Sequence, residues 1–234
     1  MEHTLSTATE NLRKKLHLTG SSITSLPSIL FCFAVMDEAR YFRAQTRSPI
    51  LITGIGNDNA RAALENTLSE MRISTVLTCG FAGGLNPALS AGTILHSCDK
   101  NFKYSKALEH AGSQEGIFYS SSKILITPQE KASAYAKTGA DAVEMESAAI
   151  HEICKIHNIP CATVRVISDP ANEALPLNFN SFMSTEMKLC YSKMALALCR
   201  KPWRVPKLVR FSSQVKHSAK QLSDTLTLAS REFI

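Results

Sequence analysis

At 234 residues, with 44% apolar and 20% charged side chains, the chain is long enough for one soluble α/β domain with a substantial core. No apolar run approaches the ~18–20 residues of a membrane span, the best being the strand-sized ILFCFAVM at 29–36, and seven scattered cysteines without a CxxC or CxxH pair read as reduced thiols of a cytosolic protein and offer no zinc site. The net charge of +6 is lopsided: nine cations and no acid lie between Met187 and Ser223, which leaves −3 for the rest.

Residues 1–28 form a Ser/Thr-rich extension without a signal-peptide core, and Glu2 and Glu10 argue against a transit peptide. ILFCFAV (29–35) and ILITG (50–54) read as strands. NDNARAALENTLSEM (57–71) reads as a helix capped by Asn57 or Asp58, with Ala60, Ala63, Leu64 and Leu68 on its inner face. STVLTCG (74–80) is a strand expected to end in a GFAGG loop. GTILHS (92–97) and FYSSSKILI (118–126) read as further strands, and PQEKASAYAK opens a helix.

ADAVE reads as a strand, and MESAAIHEICKIH as a helix with Ala149, Ile150, Ile153, Cys154 and Ile156 inward. CATVRVIS (161–168) is the last clear strand, followed by a helix expected over about 179–199. A second helical period runs through Leu208, Phe211, Val215, Ala219, Leu222 and Leu226. The alternation predicts an α/β fold: a single domain over 29–200 with a central mixed β-sheet flanked by helices, then a basic helical tail over 201–234.

Ligands of such sheets sit where strands end. Those ends are MDEAR, GIGNDN, GFAGG, EMES and SDPA, four of which contain a carboxylate. They make a pocket of acids and backbone amides, with no Walker loop, no Ser or Cys nucleophile beside a His, and no metal cluster. GIGNDN lacks the third glycine of a dinucleotide fingerprint. Glu144 and Glu146 flank Met145 where AVEMESAAI turns from strand to helix, and either acid suits a first helical turn.

FAVMDEAR (33–40), TGIGNDNARAALENTL (53–68), TCGFAGGLNPALSAGTIL (78–95) and the segment 139–171 together resemble the purine nucleoside/uridine phosphorylase superfamily. The branch most similar holds the methylthioadenosine/S-adenosylhomocysteine nucleosidases. The short stretch from Arg40 to Gly54, SDPANEALP and the basic KPWRVPKLVRF are more similar to the hopanoid-associated phosphorylases.

The resemblance implies a nucleoside phosphorylase-type fold, no metal and no organic cofactor, and a homo-oligomer. It makes Met145 pack under a ribose and Glu146 accept its hydroxyls, leaving Glu144 as the helix-start acid. Asp169 becomes the general acid at the purine, held by Ser168, and Glu38 orients water. Phe81, Ala82 and Gly83 lie near the sugar and nucleophile, and Ile124 faces the base. Thr78 and Phe81 stand where the phosphorylases place phosphate ligands, which favours hydrolysis. Arg40 and Arg43 remain the cations available to phosphate.

Three functions stay open on the sequence: a nucleosidase acting on a 5′-substituted adenosine, a phosphorylase acting on a lipid-linked adenosine such as adenosylhopane, and an inactive nucleoside-binding protein. The basic tail is either a solvated helix face or a peripheral contact with the inner face of a membrane. Its few aromatics, Trp203 and Phe211, argue against nucleic acid.

Overall fold

The computed structural model describes residues 28–187, 190, 194 and 202–233. An eight-stranded mixed sheet runs in the order β2-β1-β3-β8-β4-β5, with β7 on the far end of β3 and β6 beside β7. The central strands are β1 (Ser28–Phe33), β3 (Ile73–Gly84) and β8 (Cys161–Asp169), parallel to one another. β2 (Ile50–Ile52) extends the sheet in parallel, and β4 (Ile94–Cys98) joins β8 antiparallel. β5 (Gln114–Glu115), β6 (Phe118–Ser120) and β7 (Ala142–Glu144) complete it.

Side chains alternate across each strand, so a sheet covered on both faces needs apolar residues at every position. Phe31, Phe33, Leu77, Cys79, Val164 and Val166 enter one core with Ala39, Phe42, Leu222 and Leu226. The last four belong to α1 (Met36–Arg43) and to the final helix, α6 (Val205–Ser230). Leu30, Cys32, Leu51 and Val76 enter the opposite core, under α2 (Asn57–Glu70) and α5 (Ser147–Ile156). Each such buried Phe or Leu contributes roughly 1.5–3 kcal/mol. α3 (Ser105–His110) and α4 (Pro128–Thr138) lie outside these strands in sequence. α4 starts on a capping box: Thr127 Oγ1 accepts from the Glu130 amide, and Glu130 Oε2 accepts from the Thr127 amide.

Several expectations are corrected. GFAGG is not a loop: β3 continues to Gly84, because Phe81, Ala82 and Gly83 pair with β8 and Gly83 and Gly84 with β7. The strand expected over 118–126 stops at Ser120. Beyond it the hydrogen bonds turn to side chains: the Ser121 hydroxyl serves both ends of Lys123, and Asn180 brackets the backbone of Ile124. α2 is not capped by Asn57 or Asp58; its N-cap is Gly56, at φ 90°, and Asn57 instead accepts from the Ala149 amide of α5. The helix expected from 179 is one 3₁₀ turn, Phe179–Phe182, before the chain extends at Met183; most of 188–201 lies outside the described residues. Ile156 is exposed, because α5 ends there. α1, short and absent from the sequence reading, carries its acids first and its cations last.

α6 packs on the domain. Ala219, Leu222 and Leu226 are buried, while Lys207, Arg210, Lys216 and Lys220 face solvent. Among the described residues no helix is long and apolar enough to cross a membrane. The extension at 1–27 lies outside the described residues.

Candidate active site

The carboxyl ends of β1, β3 and β8 open into a cavity of about 350 Å³. Its floor carries Glu38, Glu146 and Asp169, and its walls are largely apolar, with Ile55, Leu175, Phe179, Phe211 and Val215 toward the outside. Met145, Phe81, Ala82, Gly83, Ser168 and Ile124 also line it. The candidates from four strand ends, with Ile124 from the segment after β6, therefore meet in one place. Arg40 and Arg43 do not line this cavity. Arg40 borders a separate surface hollow between α1 and α6, and Arg43 contacts Met36 Sδ.

The two acids beside Met145 divide their work. Glu144 is the helix-start acid: its carboxylate accepts from the amides of Glu146 and Ser147 at 2.9 and 2.7 Å and from the Ser147 hydroxyl at 2.7 Å. Burial pushes Glu144 up, but Arg165, the hydroxyl and both amides outweigh it and hold the group below its ordinary value. Glu146 occupies the N-cap position yet makes no capping bond with its side chain. It reaches instead across the cavity floor, where Oε1 accepts from the Gly56 amide at 2.9 Å. Burial, only partly offset by Arg165 and reinforced by the neighbouring carboxylates of Glu144 and Glu38, pushes it up to about 7.

Glu38 stands at the third position of α1. Its Oε2 accepts from the amides of Ala34 and Val35, and Oε1 from the Phe81 amide at 2.8 Å. A carboxylate has about four lone-pair sites, so one on Oε1 stays open to a ligand or water. Burial raises this group, against Arg165 and the three amides.

Sequence reasoning missed two cations. Arg165, in the middle of β8 and 1% exposed, donates to Glu144 at 2.8 Å, Glu146 at 3.4 Å, Thr78 Oγ1 at 3.1 Å and the Cys79 carbonyl at 3.2 Å. It is the counter-charge for three buried carboxylates, and Thr78 serves to hold it. Gly80, at φ 152°, makes room: a Cβ there would lie 2.5 Å from both Arg165 Nη1 and Glu38 Oε1. The signal was a charged residue in a strand otherwise apolar on both faces, since a buried charge needs a partner. Lys131, on α4 and fully buried, is the second; its Nζ lies 2.6 Å from Asp169 Oδ2. The other oxygen, Oδ1, accepts from the Ser168 hydroxyl at 2.6 Å. Burial raises Asp169 above its ordinary value, against Lys131 and Ser168.

Together the groups can hold a polar, hydroxyl-bearing centre between two carboxylates, stabilise positive charge developing there, and offer a third carboxyl to a basic atom beside it.

Comparison with known proteins bears on the family and the fold. Residues 100–197 match the phosphorylase superfamily model. A 5′-methylthioadenosine/S-adenosylhomocysteine nucleosidase of Staphylococcus aureus is 28% identical over 205 residues, covering 72% of this chain and 86% of that protein. An aminodeoxyfutalosine nucleosidase of Helicobacter pylori is 31% identical over 75 residues, and there the match spans only 33% of that relative. The fold is that of the Campylobacter jejuni 5′-methylthioadenosine/S-adenosylhomocysteine nucleosidase (TM-score 0.66, 16% identity, 88% of this chain and all of that one). The Helicobacter pylori futalosine hydrolase gives a TM-score of 0.65 at 15% identity, over 88% of this chain and 98% of that one.

Proposed function

We propose, from the match of residues 100–197 to the phosphorylase superfamily, that the protein hydrolyses the N-glycosidic bond of a purine nucleoside, a 5′-substituted adenosine, releasing the base. The observation that carries the reading is the meeting of Glu38, Glu146 and Asp169 in one apolar-walled cavity.

Cleaving C1′–N9 builds positive charge on the sugar and negative charge on the base. Glu146 as carboxylate accepts the ribose hydroxyls over Met145 and stabilises the oxocarbenium charge. Asp169 gives a proton to the purine N7, so that the base leaves neutral. Glu38 aims the water through its open Oε1 site. Ala82 and Gly83 line the sugar side, and Ile124 the base. The apolar outer wall, from Leu175 to Val215, suits a 5′ substituent without charge.

Water is favoured over phosphate because Lys123 is the one cation lining the cavity among the described residues. It is 62% exposed in its side chain and sits near Glu130. Arg165 is committed to Glu144 and Glu146, and Arg40 and Arg43 stand outside.

The test is chromatographic detection of adenine from 5′-methylthioadenosine and adenosine. Base release that falls at least about 100-fold in Asp169→Asn supports the reading. No release from a panel of 5′-substituted adenosines, bulky apolar ones included, would overturn it.

A further inference from the structure

Among the described residues, Lys131 is the fully buried cation that the reaction as described leaves without a task. Its ammonium has three N–H donors, and all three are used: Asp169 Oδ2 at 2.6 Å, the Pro170 carbonyl at 2.8 Å and the Glu173 carbonyl at 2.9 Å. No donor is left for a ligand, so Lys131 does not touch substrate; it does not line the cavity either. It stands behind Asp169, whose second oxygen is held by Ser168.

We propose that Lys131 is a positioning residue for proton delivery: it fixes the Asp169 carboxyl toward the leaving base and stabilises the carboxylate that remains once the proton has gone. The proposal rests on the hydrolytic reading above. In the step, the Asp169 O–H bond breaks as N7–H forms, the C1′–N9 electron pair returns to the base, and the water oxygen bonds to C1′ as one of its O–H bonds breaks and that proton passes to the Glu38 carboxylate. Asp169 begins as a neutral acid beside a cation and ends as half of a buried ion pair. That pairing makes it a stronger acid than burial alone allows, because an opposite charge within hydrogen-bond distance favours the ionised form.

The charged groups acting on Asp169 are Lys131 from α4 and Glu173 from the segment after β8. Glu130, beside Lys131 on the same helix, is turned to Thr127 and Lys123. The loop carbonyls of Pro170 and Glu173 give Lys131 an ordinary structural use as well, so the test must separate the two.

The experiment compares kcat/KM of Lys131→Met, Lys131→Gln and Lys131→Arg with the unaltered enzyme from pH 5 to pH 9. Without the cation Asp169 keeps its proton to higher pH but gives it up less readily. Both neutral variants are therefore slower at low pH, and their activity relative to the unaltered enzyme climbs with pH by roughly 10- to 1000-fold. Lys131→Arg keeps the original profile. A relative activity flat across pH, or a climb equal in Lys131→Arg, means that Lys131 only anchors the loop and overturns the proposal. Should the neutral variants fail to fold, ¹³C and ¹⁵N resonances of Asp169 and Lys131 in the unaltered protein decide. Titration of the carboxyl must move the Lys131 Nζ resonance, and independence of the two overturns the proposal. If no nucleoside is cleaved, the hydrolytic reading has failed, and the same resonances still report whether the pair is coupled.

Discussion

Replacing Glu146 by Gln should make the protein more stable at alkaline pH while disabling it. The carboxyl is 5% exposed and is held at about 7 against an ordinary 4.5. That value already includes the attraction of Arg165. A gap of this size corresponds to about 3 kcal/mol, at about 1.36 kcal/mol per pH unit. The sign follows from proton binding. Between roughly pH 4.5 and 7 the folded state holds a proton that the unfolded chain has lost, so stability falls as pH rises through that window and then levels. Gln keeps an acceptor for the Gly56 amide and carries no charge to bury. The variant should match the unaltered protein at pH 4.5 and exceed it by about 2–3 kcal/mol at pH 8, or roughly 4–12 °C in Tm for a chain of this size. Urea unfolding at both pH values measures this, and base release on the same samples should fall about 100- to 1000-fold. A variant less stable at pH 8, or a difference independent of pH, would refute the placement of a reluctant carboxylate on the cavity floor.

Arg165→Met removes the partner of three buried carboxylates and should destabilise the fold by about 3–5 kcal/mol at pH 8. The loss should be smaller at pH 5, where the carboxyls take up protons, as urea titrations at the two values would register. Gly80→Ala sets a methyl 2.5 Å from Arg165 and Glu38; since both neighbours are pinned, activity should fall more steeply than in Gly112→Ala, where a Cβ meets nothing within 4 Å. Thr78→Val leaves an Arg165 donor without its 3.1 Å acceptor and should cost about 1–3 kcal/mol in chemical denaturation.

The core strands were legible because a sheet covered on both faces demands largely apolar runs; ILFCFAV is one without a break, and CATVRVIS is one interrupted by Thr163 and Arg165. The place of AVEMESAAI showed only that either acid could start the helix, and the resemblance alone singled out Glu144. GFAGG misled because glycine marks both turns and close approaches, and only the packed Glu38–Arg165 pair shows that Gly80 is the second kind. Segment 121–127 misled because its apolar residues face the cavity while its backbone bonds to side chains, a pairing that no periodicity reveals. Lys131 was hidden for a different reason: on an amphipathic helix a lysine reads as solvated, and its burial follows only from where β8 ends.

The most direct test of the account is the fate of water. With 5′-methylthioadenosine or a bulkier 5′-substituted adenosine in phosphate-free H₂¹⁸O, the account predicts adenine release and one ¹⁸O at C1 of the sugar, read by mass spectrometry before exchange. Release that needs phosphate and yields a sugar 1-phosphate would contradict it, and would assign the attack to an anion that the cavity's described residues are poorly charged to hold.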